Sequence, residues 1–219
     1  MVRIVCGQPA TATHIARRLY RTFVSDTDEP SSELLAPLAD AMRVQGDVDV
    51  ARGIELVLRS RLFHSDECRT MRVKSPVALA IGAIRSGEAF APPPDLVELE
   101  IHLTRMGQRL FYPPNVAGWP GGIAWLRGST ILARASFAAW LSDPSSGLSA
   151  GHFRDLAERH RLRNAAAWLD AMAVLLSGAT ISPESKDELL GLVRSEPDPA
   201  QLHGRILTRV LSLPEGQVG

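Results

Sequence analysis

The most regular apolar pattern of the chain lies in Asp95-Leu-Val-Glu-Leu-Glu-Ile-His-Leu-Thr-Arg-Met-Gly-Gln-Arg-Leu110. Its large apolar side chains return every three or four residues, at Leu96, Leu99, Leu103, Met106 and Leu110. This spacing places them on one face of an α-helix, and the carboxylate of Asp95 is a good N-cap. We therefore predict a long helix from Asp95 to Leu110 that serves as a central strut of the fold.

The same helical spacing extends along most of the chain on both sides of this strut. Serine followed by proline opens two further helices, at Ser75-Pro76 and Ser182-Pro183, because the hydroxyl caps the helix and proline fits its first position. No strand-like alternation persists long enough to indicate a sheet. The sequence therefore predicts an all-α protein, folded as an irregular orthogonal bundle of about eight or nine helices.

One stretch has the composition of an internal boundary. Asp143-Pro-Ser-Ser-Gly147 combines turn-forming residues between two helical patterns. We predict a main helical domain over residues 1–142, which includes the loop rich in proline and tryptophan described below. A C-terminal helical subdomain over residues 143–219 is expected to pack on it.

The charge and the apolar runs exclude several classes of function. The 219 residues include 24 Lys and Arg and 24 Asp and Glu, so the formal net charge is zero. General nucleic-acid binders and proteins that adhere to acidic membranes carry a positive excess, so we expect neither partner. The first apolar run is too short for a signal peptide, and no later run is long enough to cross a bilayer. The sequence does not indicate a cellular compartment.

The common catalytic and cofactor motifs are missing from the sequence. It contains no Cys-x-x-Cys, no His-Glu-x-x-His and no Gly-x-x-x-x-Gly-Lys, so we expect no cofactor and no metal site. His64 and Ser65 lie side by side, but Ser65 does not lie in the Gly-x-Ser-x-Gly elbow of hydrolases, because Phe63 and Glu67 occupy the two glycine positions. We interpret Ser65 as a helix N-cap, followed by the first-turn acids Asp66 and Glu67.

Helical periodicity stops between Phe111 and Trp125. The connection Tyr112-Pro-Pro-Asn-Val-Ala-Gly-Trp-Pro-Gly-Gly122 is about twice the usual length of a loop between helices. Its prolines favour an extended path, and its glycines permit positive φ angles. Asn115 can hydrogen-bond to the nearby backbone and fix a turn. We expect this loop to hold one shape.

The loop has two interpretations. In the functional one, Tyr112, Trp119 and Trp125 form a rigid ledge whose aromatic faces stack on a sugar or another flat ligand, while Asn115 and Arg134 supply polar contacts. In the structural one, Trp119 turns inward as a plug, and the prolines and glycines only shape the loop around it. No acid–base pair flanks Trp119 in the sequence.

The same segment carries a family resemblance. The run is Gly107-Gln-Arg-Leu-Phe-Tyr-Pro-Pro-Asn-Val-Ala-Gly-Trp-Pro-Gly-Gly122, and it is followed by Trp125 and by Leu132-Ala-Arg134. These residues resemble the signature of a bacterial family known as domain of unknown function 1800. Further stretches agree with it, namely Pro9–Tyr20, Leu58–Phe63, Lys74-Ser-Pro76 and Leu211–Gln217. The likeness covers nearly the whole chain.

The resemblance implies a position within a longer protein rather than an activity. Longer members of that family have a helical N-terminal half, so this chain resembles the C-terminal portion of such a protein. We then expect an exposed apolar patch where the other half would pack. The family has no established activity to carry over.

Together these observations favour an accessory binding module that uses the loop at residues 111–125. Its expected partner is the N-terminal half of the same protein, another protein, or a carbohydrate or other small molecule. The alternative is a hydrolase that acts on a polymer, with part of its active site in the N-terminal half. Carboxylates or histidines converging on Trp119 would favour the enzyme, and their absence would favour the binding module.

Overall fold

The structure is a computed structural model that describes residues 2–86, 94–143, 155–156, 158–162, 164–178, 181–195 and 199–219. It divides into two compact units, Met1–Arg72 and Val73–Gly219. The described residues form eleven α-helices, two short 3₁₀ helices and one two-stranded hairpin. The all-α prediction is therefore confirmed. None of the described helices is both long and apolar enough to cross a membrane.

The first unit contains five helices and the hairpin. They are α1 (Val2–Cys6), α2 (Pro9–Phe23), α3 (Ser32–Met42), β1 (Arg43–Val44), β2 (Asp47–Val48), α4 (Val50–Leu58) and α5 (Asp66–Thr70). Helices α2, α3 and α4 pack on one another and bury a core that includes Ala16, Leu35, Met42 and Val57. The predicted cap is present, because Ser65 Oγ accepts a hydrogen bond from the Cys68 amide at 3.2 Å.

The second unit contains six helices and both 3₁₀ helices. They are α6 (Pro76–Ser86), α7 (Leu96–Arg105), a 3₁₀ helix (Gly122–Leu126), α8 (Gly128–Leu141), α9 (Ala165–Ser177), α10 (Pro183–Ser195), α11 (Pro199–Ser212) and a second 3₁₀ helix (Pro214–Gln217). Helix α8 packs along α7 and α11, and its Phe137, Ala138 and Leu141 are fully buried. Helix α8 is therefore the central helix of this unit's core.

Helix α7 is shorter than the predicted strut. Asp95 caps it as expected, with Oδ1 accepting from the amides of Val97 and Glu98 at 2.8 and 3.2 Å. It ends at Arg105, and Leu110 is exposed rather than part of the core. The apolar spacing therefore continues past Arg105, although the helix itself does not.

The chain divides into its two observed units after Arg72, and the core of the second unit takes side chains from both sides of residue 142. Most of the turn-like stretch that motivated a boundary, residues 144–147, lies outside the described residues. The division at residue 142 stays a prediction. The five-residue helix α1 adds to the helix count, because five residues are too few to show a period.

Candidate functional site

The segment that joins α7 to α8 begins with a defined helix end. Gly107 has a φ of +95°, which glycine adopts without strain. Its amide donates to the Thr104 carbonyl at 3.0 Å, and the Gln108 amide donates to the Leu103 carbonyl at 2.9 Å. This pair of bonds is the Schellman motif, which satisfies the last carbonyls of a helix. The helix therefore stops here, although the apolar spacing continues to Leu110.

Phe111 occupies an unusual backbone conformation directly after this helix end. Its φ is +64°, a region that bulky side chains rarely adopt. The ring is also 91% exposed, so no burial offsets the backbone strain. Strain of this kind costs on the order of 1–3 kcal/mol and is concentrated at functional sites. Phe111 is therefore a candidate for a contact residue.

Asn115 fixes the middle of the loop, as its sequence context predicts. Its Oδ1 accepts a hydrogen bond from the Ala117 amide at 2.8 Å, and its carbonyl accepts from the Gly118 amide at 3.1 Å. Gly118 completes the turn with a φ of +91°. The side chain of Asn115 is thus engaged with its own backbone, although it lies on the surface.

Trp125 is the side chain that packs the loop onto the helices. It lies in the 3₁₀ helix and is only 6% exposed. A Cβ placed on Gly107 would lie 3.7 Å from the Trp125 ring and from the Thr130 methyl group, an ordinary contact distance. The Thr130 hydroxyl contacts the Trp125 carbonyl at 2.9 Å. Trp119, by contrast, is only half-buried.

Arg134 connects three of the segments that carry the family resemblance. Its side chain is 2% exposed and donates to Gln217 Oε1 at 3.0 Å and to the Lys74 carbonyl at 2.6 Å. Burial lowers the pKa of Arg134 to about 10. Lys74 donates to the Val218 carbonyl, and burial, with Arg134 nearby, lowers its pKa to about 8. Arg134 therefore ties the C-terminal segment to the start of α6.

Several large apolar side chains of the same region face solvent. We call them the apolar platform, and they are Phe111, Tyr112, Val116, Ile123 and Leu132. Leu132, at the start of α8, is 70% exposed. Burying such side chains contributes about 1.5–3 kcal/mol each, so leaving them exposed forgoes stability. Exposed apolar side chains that form one contiguous patch mark interaction surfaces.

Arginines lie at both ends of the platform. Arg105 and Arg109 flank the end of α7, and Arg127 directly precedes α8. The Arg109 guanidinium lies 4.4 Å from the centre of the Tyr112 ring, a cation–π contact. All three arginines are exposed, and none forms an ion pair among the described residues. The segment that carries the platform thus has exposed arginines near both of its ends.

The first unit contains an apolar cavity. Its volume is about 280 Å³, and it lies among α2, α3, α4 and the segment after α4. The walls are nearly all apolar, with Tyr20 and Ser60 as the polar exceptions. Ligand sites usually add several placed polar groups that orient the ligand. This cavity has the size of a small-molecule site but few groups to give specificity.

Catalytic and metal-binding groups do not gather in the described part of the chain. No group of three or more His, Cys, Asp or Glu that could hold a metal ion occurs among the described residues. His102 is buried beside Phe137 and Trp140, with ring centroids 5.8 and 4.9 Å away. Burial lowers its pKa, with a smaller lowering by Arg105. His102 is therefore a core residue whose burial favours the neutral imidazole.

The structure distributes the five predicted ligand-binding residues over two environments. Tyr112 and Asn115 lie on the surface and Trp119 is half-buried, whereas Trp125 and Arg134 lie inside. Trp125 consequently plays the inward-facing structural role that the sequence suggested for Trp119. Ligand binding by these five residues stays a prediction.

Sequence reasoning missed two parts of this surface. Phe111 and Leu132 are not among the predicted contact residues, because nothing local in the sequence shows that their side chains are exposed. Sequence reasoning also overlooked the arginines, although a signal was present: no Asp or Glu occurs between Glu100 and Asp143, while four arginines do. A net charge counted over the whole chain hides such a local excess.

The comparison with known families agrees with the motifs that meet around Arg134. The family model described as protein of unknown function (DUF1800) matches residues 1–218. The chain belongs to the DUF1800 family. The comparisons with curated proteins and with solved structures each found no match. The DUF1800 match therefore gives the family without an activity, and function has to be argued from the surface itself.

Proposed function

We propose that this DUF1800 chain is a binding module whose platform, around the loop at residues 111–125, contacts a partner protein. The observation that carries the proposal is Phe111, which is held outward in a strained conformation with almost its whole ring in solvent. A strained, exposed aromatic residue lowers the stability of the folded chain, and no burial of its ring within the chain offsets that cost. Contact with a partner is the physical reason that fits such a residue.

The composition of the surface supports a protein partner. Tyrosine, phenylalanine and arginine are enriched in the energetically dominant parts of protein interfaces. Here Tyr112 and Phe111 lie beside Arg109, and aliphatic side chains extend the apolar area. A carbohydrate ledge would need polar groups around the aromatic faces, yet the Asn115 side-chain oxygen is already used by the loop.

The framework beneath the platform supports the same proposal. The Schellman turn at Gly107, the turn at Asn115 and the buried Trp125 hold the loop at its two ends and in its middle. A loop that is fixed before binding loses little conformational entropy when its partner docks. The proposal therefore assigns the buried motif residues to positioning and the exposed ones to contact.

The alternative, a hydrolase acting on a polymer, draws no support from the groups near Trp119. The sequence from residue 101 to residue 142 contains no carboxylate at all, and its one histidine, His102, is buried among aromatic rings. A pair of carboxylates or a base beside a nucleophile is what such chemistry requires. The binding module remains our proposal.

A selection from a displayed library of random peptides tests the proposal directly. The platform variant replaces Phe111 and Leu132 by serine, and the matched control replaces the exposed Val174 and Leu175 of α9 by serine. Because all four side chains are exposed, both variants should melt within about 2 °C of the parent. Peptides selected on the parent should bind the control equally well and the platform variant at least tenfold more weakly. Peptides that bind all three proteins equally would refute the proposal.

A further inference from the structure

The charge around the platform is one-sided. The chain as a whole is neutral, with 24 acidic residues, yet none of them lies between Glu100 and Asp143. Four arginines fall in that stretch, and one of them, Arg134, is buried. The other three, Arg105, Arg109 and Arg127, are exposed and unpaired among the described residues. The stretch between Glu100 and Asp143 therefore carries a local positive charge, although the net charge of the whole chain is zero.

The local geometry brings these arginines to the platform. Arg105 and Arg109 lie four residues apart across the end of α7. Gly107, between them, lies against Trp125 and Thr130. The carbonyl of Arg127 accepts from the Ile131 amide at 2.8 Å in the first turn of α8, so Arg127 is held beside the same contact. The two ends of the loop thus carry positive charge, and Arg109 lies in contact with Tyr112 of the platform.

From this arrangement we infer that the partner of the platform is an acidic protein segment with apolar side chains. The inference rests on the function proposed above and adds the chemistry of the partner. Leucine or aromatic side chains of the segment would cover Phe111 and Leu132, and its carboxylates would accept hydrogen bonds from Arg109 and Arg127. Guanidinium–carboxylate pairs are charge-assisted and select one sign of partner.

A nucleic acid fits the same surface less well. Phosphates would pair with the arginines, but they would leave the aliphatic side chains of Val116, Ile123 and Leu132 in water. Nucleic-acid sites also carry a broader basic footprint than three exposed arginines. A nucleic acid therefore enters the test as a competing outcome.

Two synthetic peptides measure the sign of charge that the platform selects. Both carry leucine and phenylalanine at the same positions, and one has glutamate and the other lysine at every remaining position. With fluorescein-labelled peptides and the full chain, anisotropy titrations should show the glutamate peptide binding at least tenfold tighter. Its affinity should fall as salt is raised, because the arginine pairs are exposed.

Variants separate the arginines from the apolar side chains. Replacing Arg105, Arg109 and Arg127 by glutamine should weaken the glutamate peptide about tenfold, since three exposed pairs of roughly 0.5 kcal/mol each sum to that factor. The matched control replaces the exposed Arg18, Arg52 and Arg61 of the first unit, and it should bind like the parent.

The outcomes distinguish this inference from the proposed function. Equal binding of both peptides, lost in the platform variant, would overturn the acidic partner and leave the binding module standing. A single-stranded oligonucleotide that displaces the glutamate peptide and binds more tightly would also overturn it, in favour of a nucleic acid. Binding of the glutamate peptide that survives in the platform variant would refute both proposals.

Discussion

Replacing Trp125 by alanine should destabilise the second unit more than replacing Trp119 does. Trp125 is 6% exposed and packs against Gly107 and Thr130, so its removal leaves a cavity beneath the loop. Removing a buried tryptophan costs about 3–5 kcal/mol. For a unit of this size, the melting temperature should fall on the order of 10 °C.

Trp119 provides the internal comparison. It is less deeply buried than Trp125, so the same replacement should cost less stability than it does at Trp125. The two variants remove the same atoms from the same loop and differ only in how much surface those atoms bury. The expected order of stability is therefore parent, then Trp119→Ala, then Trp125→Ala.

A urea titration followed by tryptophan fluorescence measures this difference in the correct part of the chain. All four tryptophans lie between residues 73 and 219, so three of them still report on the second unit in each variant. The reasoning would be refuted if Trp125→Ala cost less than about 1 kcal/mol. It would also fail if Trp119→Ala were the more damaging change.

Three further substitutions test other parts of the account. Phe111→Asn should stabilise the chain by about 0.5–1 kcal/mol, because asparagine tolerates a positive φ and the exposed ring gives up little burial; a lower urea midpoint would contradict this. Gly216→Ala should cost about 3 kcal/mol, since a Cβ there would collide with the Val210 carbonyl oxygen, and a parent-like midpoint would argue against the packing described. Burial lowers the pKa of Lys74 from 10.5 to about 8, so the unfolded chain binds a proton that the folded chain lacks in this range. Stability should therefore rise as pH increases from 8 towards 10.5; Lys74→Met should reduce this rise, and an unchanged pH profile in the variant would count against it.

The sequence predicts those features of the fold that depend on near neighbours. The caps at Ser65, Ser75 and Asp95 are found as expected, because a cap joins a side chain to an amide only two or three residues away. The turn at Asn115 has the same local cause. The all-α class follows from the period of the apolar side chains, which local spacing also determines.

The features that the sequence did not predict depend on distant contacts. Packing against Gly107 and Thr130 decides that Trp125 is deeply buried, and these contacts are distant in the sequence from one another. Nothing local in the sequence shows that Lys74 and Gln217 enclose Arg134. The end of α7 was placed too late, since the apolar spacing continues beyond the glycine that stops the helix.

Hydroxyl-radical footprinting of the chain with and without the glutamate peptide tests the central claim most directly. The method oxidises exposed aromatic and aliphatic side chains, and mass spectrometry locates the oxidised residues. We predict that Phe111, Tyr112 and Leu132 lose reactivity when the peptide is bound, while Val174 and Leu175, which are also exposed, keep theirs. Protection of Val174 and Leu175, with Phe111 and Leu132 unchanged, would contradict the assignment of the platform as the binding surface.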